Sequence, residues 1–179
     1  MTVLRRLSVL LLALCCCACS TGDAADVPQA TPIPTPQVLE GLRRNEEGIP
    51  LLDVYLHEEE TIRSMDIERY VCGVLAGEMR NDWPLEALKA QAILARTFVL
   101  KFGSEKESRY EGADISTDIT EAQAYNAAEI NERIEQAVAE TCGQVLLTAS
   151  GELPYAWFHA HSGGKTALAR EGLSWNDPE

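Results

Sequence analysis

An α+β fold is predicted by three observations on this sequence. Helix and strand patterns are mixed without βαβ regularity, the helical stretches each carry a single apolar face, and a Ser150-Gly151 turn separates two short β-like runs. The centre of the chain reads as a helix, a break and a second helix, with β-hairpins before and after.

The elements follow in order. Within residues 38–62, Ile49 to Leu56 and a continuation to Ile62 predict strands, with Glu58-Glu59-Glu60 as an exposed turn. His57, on a strand near acidic residues, reads as a surface histidine. Ile67, Tyr70, Val71, Val74 and Leu75 keep one-faced helical spacing, and Asp66 and Glu68 suit a positive N-terminal end. A first helix is therefore predicted from about Ile67 to Ala76, ended by a left-handed Gly77. Asp82-Trp83-Pro84 opens a second helix that carries Leu85, Leu88, Ala92, Ala95 and Val99 on one stripe and stops near Gly103. Glu78 then sits in the break between them, a place where catalytic acids are often found. A third helix is predicted from about Ala128 to Thr141, with Ile130, Ile134, Ala137 and Val138 inward and Gly143 as its stop. Gln144 to Thr148 and Tyr155 to His161 then flank a hairpin turn.

The N-terminus is of another kind. Arg5-Arg6, the apolar stretch from Leu7 to Leu14 and the cysteines at 15, 16, 17 and 19 read as an export signal ending at a lipidated cysteine. Cys19 is the best local fit, Cys17 and Cys15 are alternatives, and an uncleaved membrane anchor is the second reading. Two acyl chains on such a cysteine suffice for stable anchoring. Residues 1–19 are thus a leader, 20–40 a Pro/Thr-rich semi-extended tether, and 41–179 one folded domain, held at the extracytoplasmic face of the cell membrane. A formal net charge of −13 and the lack of any Lys/Arg cluster argue against a nucleic-acid partner, because phosphate binding needs a basic footprint. A neutral polysaccharide is compatible with this surface.

The wording of the central segment carries more. Tyr70, Gly73-Val74, Ala76-Gly77-Glu78-Met79, Trp83-Pro84, Glu86 through Ala92 and Ala95-Arg96-Thr97 resemble the signature of the stage II sporulation protein D family (SpoIID/LytB). Gln123-Ala124-Tyr125 and Ser162-Gly163-Gly164-Lys165-Thr166 resemble its later motifs, in the family's order. The resemblance runs from roughly Gly48 to the C-terminus. Family domains continue past the stretch that Ser174-Trp175-Asn176 resembles, which suggests a domain that is partial at its C-terminus.

The resemblance implies a peptidoglycan lytic transglycosylase that cuts between N-acetylmuramic acid and N-acetylglucosamine in peptide-stripped strands, during sporulation or wall remodelling. Glu78 would be its catalytic residue. A general acid must be protonated to act, which partial burial against Met79 or Trp83 would favour. Lys89, Arg96, Gln123, Tyr125, Ser162, Gly163 and Gly164 are the substrate-binding candidates. Lys89 and Arg96, seven apart on one side of a helix, would reach sugar oxygens or Glu78, or else be solvated. The partners implied are glycan strands, the membrane through the lipid anchor, a cell-wall amidase and sporulation membrane proteins. A non-catalytic glycan-binding amidase enhancer is the alternative.

No cofactor is expected. Some family members hold zinc with a Cys/His cluster, but Ser116, Glu121 and Ala122 stand in the corresponding places here, so no metal site is predicted. His159 and His161 lie on one face of a probable strand without a third ligand, and read as hydrogen-bonding groups. For Cys72 and Cys142 the sequence leaves a disulfide and two free thiols both open.

Overall fold

A computed structural model describes residues 41–159 and 163–172 of the chain. The leader, the tether, His161, Ser162 and the stretch around Trp175 lie outside the described residues. Strands β1 (Leu51–Leu56) and β2 (Thr61–Asp66) form an antiparallel hairpin in which Leu56 faces Thr61 and Leu51 faces Asp66. A two-residue strand, β3 (Ile115–Ser116), adds in parallel to the other side of β1, giving the order β2-β1-β3. On β1 the buried residues alternate as its sequence requires, with Leu52, Val54 and Leu56 turned into the core.

The second strand was expected to finish at Ile62, but it begins at Thr61. Its residues are mostly exposed and include Arg63 and Ser64, so no apolar alternation marks it. Pairing with β1 is what makes it a strand. Likewise β3 is too short to leave a sequence pattern, and it is held by Asp114 N–H donating to Asp53 O at 2.7 Å and Thr117 N–H donating to Tyr55 O at 2.9 Å.

Helix α1 (Ile67–Glu78) opens where the sequence places it, with the Asp66 carboxylate accepting from Arg69 N–H at 2.8 Å. It does not stop at Gly77. The helix runs through that glycine to Glu78, and Met79 N–H closes it on Leu75 O. Helix α2 (Leu85–Glu105) similarly passes through Gly103 and ends two residues later. Helix α3 (Glu132–Glu140) starts later than predicted, because Asn131 caps it by accepting from Arg133 and Ile134 N–H while Ala127–Glu129 forms a separate 3-10 turn capped by Asn126. Gly143 takes φ 71° just beyond, the left-handed stop the sequence called for. A short helix α4 (Ala169–Gly172) follows.

The three long helices share one core with β1. Leu88, Ala92, Ala95 and Val99 of α2 are buried along with Tyr70, Val71, Val74 and Leu75 of α1 and Ile134, Ala137 and Val138 of α3. Fully burying each of the larger side chains is worth about 1.5–3 kcal/mol. Burial also pushes the Cys72 thiol up to about 11, while Cys142 is exposed, and both are free thiols.

The second predicted hairpin keeps only its turn. Thr148 N–H donates to Glu152 O at 2.8 Å and Gly151 takes φ 86°, but among the described residues neither flank forms a strand. The first flank is committed to α2: Gln144 O accepts from Arg96, and Leu146 N–H donates to the Thr97 hydroxyl at 2.9 Å. Among the described residues no helix is long and apolar enough to cross a membrane.

Candidate active site

Glu78 is the last residue of α1 and is half-buried. Its Oε1 accepts a hydrogen bond from the backbone N–H of Ala124 at 2.8 Å. Among the described residues it enters no ion pair. The chain on either side of it in sequence, Ala76 and Met79 to Asp82, together with Glu129, lines an open cleft of about 390 Å³. The connection to α2 is stiffened by an Arg80–Asp82 ion pair at 2.8 Å and by two hydrogen bonds from the Arg133 guanidinium to Trp83 O at 3.2 and 3.0 Å.

The segment that reaches Glu78 is Gln123-Ala124-Tyr125, the second motif singled out in the sequence. Gln123 is buried, and both its amide atoms lack a hydrogen-bond partner among the described residues. The Tyr125 ring lies against α1 at Gly73 and stacks on Tyr70, with centroids 5.7 Å apart. Burial drives the Tyr70 hydroxyl far above its ordinary value.

Arg96 and Lys89 are both held by carboxylates within the fold. Arg96 is 1 % exposed and makes a two-pronged pair with Glu68 of α1 at 2.9 and 2.5 Å, while its Nη1 donates to Gln144 O at 2.9 Å. Lys89 pairs with Glu86 at 2.9 Å and Glu140 at 3.1 Å, joining α2 to the end of α3. Neither forms an ion pair with Glu78: Glu68 of α1 holds Arg96, and Glu86 and Glu140 hold Lys89. Gly163 and Gly164 both adopt left-handed φ, 61° and 96°, and His159 Nε2 lies 3.2 Å from the Thr166 hydroxyl. The role the sequence did not assign is that of Ala124, whose contribution is a backbone N–H that carries no residue-type signal.

A profile described as SpoIID, stage II sporulation protein, matches residues 55–147, just over half of the chain. The chain belongs to the stage II sporulation protein (SpoIID) family. It is 29% identical over 143 residues to stage II sporulation protein D of Bacillus subtilis, covering 73% of this chain and 41% of that protein. It is 35% identical over 107 residues to the amidase enhancer of the same organism, covering 59% and 14% respectively. An uncharacterized protein of Brachyspira hyodysenteriae is 39% identical over 109 residues, covering 60% and 29%. The chain therefore spans less than half the length of each of these relatives.

The loop where some SpoIID family members place zinc is closed here by carboxylates instead. The Glu121 side chain, 4% exposed, accepts from the Ser108 hydroxyl at 3.2 and 3.1 Å and from Arg109 N–H at 2.6 Å. Ser116 is buried in β3 and Ala122 has no donor atom, so these residues do not fit a zinc ion. Chelator treatment is expected to leave the melting temperature unchanged. Glu121→Ala, which strands the Ser108 hydroxyl and the Arg109 N–H, is expected to cost about 1–3 kcal/mol in denaturant unfolding.

Asp118 is the second closure of this loop. It accepts from Thr120 N–H, the Thr120 hydroxyl and the Tyr110 hydroxyl, each at 2.8 Å, and these bonds, the backbone one foremost, hold its carboxyl down at about 2. Tyr110 in turn stacks on Tyr55 of β1 at 3.9 Å. A folded value below the unfolded one means stability that is complete above the ordinary aspartate range and lost as pH falls through about 2. Thermal unfolding of Asp118→Asn measured across that window should show a shallower acid dependence than the parent chain.

Proposed function

We propose that this domain is a peptidoglycan lytic transglycosylase acting on peptide-stripped glycan strands, with Glu78 as its single acid and base. The observation that carries the reading is the Glu78 carboxyl itself: half-buried at a helix end whose sequence neighbours Ala76 and Met79 line an open cleft, with Oε1 held by Ala124 N–H. The Glu78 carboxyl gives its proton to the glycosidic oxygen as the bond from muramic acid C1 breaks, releasing the 4-hydroxyl of N-acetylglucosamine. The resulting carboxylate takes the proton of the muramic acid C6 hydroxyl as that oxygen bonds to C1. Atoms balance without water, and the product ends in a 1,6-anhydro ring.

One carboxyl is enough for this route, whereas glycoside hydrolysis ordinarily uses two. Glu121, the carboxylate next along the chain to the Ala124 anchor, is spent on Ser108 and Arg109. The leader supports attachment through Cys19, which would set the domain at the outer face of the membrane, within reach of the wall, in sporulation or wall remodelling.

A second reading is favoured by the likeness to the amidase enhancer: a glycan-binding scaffold that recruits a peptide-stripping amidase. Mass spectrometry of peptide-free glycan strands incubated with the protein separates the two. Fragments ending in 1,6-anhydro-muramic acid are expected, and intact strands with retained binding would instead support the scaffold.

A further inference from the structure

Helix α1 carries two glycines, Gly73 and Gly77, four residues apart and hence on one side, one turn above the other. Both lie inside the helix, where glycine is costly in conformational entropy, so the space they leave needs a reason. A Cβ at Gly73 would fall 2.0 Å from Cε2 and 2.4 Å from Cζ of Tyr125. A Cβ at Gly77 would fall 2.7 Å from both the carbonyl carbon of Ala124 and the nitrogen of Tyr125. The backbone of residues 124 and 125 thus rests directly on the helix at Gly77.

Three contacts hold the segment there. Asn126 N–H donates to Gly73 O at 2.9 Å, the Tyr125 ring occupies the space over Gly73, and Ala124 N–H donates to Glu78 Oε1 at 2.8 Å. The first two fix where the third points.

We infer that Gly73 and Gly77 are positioning residues for Glu78: they let the 124–126 backbone approach α1 closely enough for Ala124 N–H to bind one carboxyl oxygen and leave the other to transfer the proton. This inference rests on the catalytic reading of Glu78. The carboxyl sits at a helix end, where its side chain has rotamers to choose among, and the backbone bond selects one. Gly77 matters more than Gly73, because its obstruction would be main chain, whereas the Tyr125 ring can turn aside.

The test uses Gly77→Ala, with Gly103→Ala as the control. Gly103 also lies inside a helix, but a Cβ there meets nothing within 4 Å, so both substitutions gain helix propensity and only one displaces a neighbour. For Gly77→Ala kcat for release of anhydro fragments is expected to fall about 100-fold, the effect of misplacing a reacting group by an ångström. KM should stay within about twofold, because a positioning loss falls on the transition state. The Ala124 amide should also exchange its hydrogen faster than in the parent chain.

Wild-type kcat in Gly77→Ala, or an equally protected Ala124 amide, overturns the inference, as does an equal loss in Gly103→Ala. If Gly77→Ala does not fold, an ester in place of the amide between residues 123 and 124 removes the N–H alone. A loss of about tenfold in kcat with KM intact is then expected, a preorganised donor to a reacting carboxyl having been deleted, and unchanged kcat refutes it. If the parent chain releases no anhydro product, the catalytic reading falls, while amide exchange in Gly77→Ala still decides whether Gly77 seats Ala124 on Glu78.

Discussion

Glu78→Gln is expected to abolish release of 1,6-anhydro fragments from peptide-free strands while sparing binding to them. Glutamine keeps the shape of the side chain and an oxygen able to accept from Ala124 N–H, so the 124–126 segment should stay seated on α1. It can neither deliver a proton to the glycosidic oxygen nor take one from the C6 hydroxyl. General acid–base catalysis is worth roughly 100- to 10,000-fold in rate, and because one residue serves both halves of the proposed reaction, the loss should reach the upper end. Strand binding measured by co-sedimentation should be within about twofold of the parent, since uniform binding is untouched. Undiminished turnover in the variant would remove Glu78 from the chemistry altogether.

The largest expected effect on stability lies in the buried pair between α1 and α2. Arg96 is closed to solvent, Glu68 is 14 % exposed, and together they also hold Gln144 O and Gly143 N–H at the end of α3. Arg96→Met leaves the Glu68 carboxylate nearly buried without its cation, which is expected to cost about 3–5 kcal/mol in urea unfolding. Lysine should rescue only part of this, because it offers a point charge in place of the two-pronged fork. The double variant Glu68→Leu, Arg96→Met should be more stable than Arg96→Met alone, since no unpaired charge remains. At temperatures where the single variant is folded its KM should match the parent's. A raised KM with parent-like stability would instead support the substrate-binding role expected from the sequence.

Arg96, within the family's signature, is a substrate-binding candidate from sequence. In the fold Arg96 and its neighbour Thr97 dock the 144–146 segment onto α2. Gly77 was expected to stop α1, and its left-handed φ was the only role that local rules offer a glycine near a helix end. The helix passes through it, and the space its missing side chain leaves is filled by a backbone from elsewhere in the chain.

By itself the sequence determined the one-faced helices, since spacing over three and four residues is a local property. It also determined the start of α1 after Asp66 and the stop at Gly143, and it put Glu78 between α1 and α2, just past where α1 was expected to end. Only the tertiary structure decided what surrounds that carboxylate. Ala124 comes to it from 46 residues away, β2 and β3 exist because β1 lies between them, and Arg96 meets a partner 28 residues distant. The physical reason is that periodicity and capping act within a turn or two of chain, while the donor to Glu78 is a backbone N–H brought in by packing. A donor of that kind has no residue type by which it could be read.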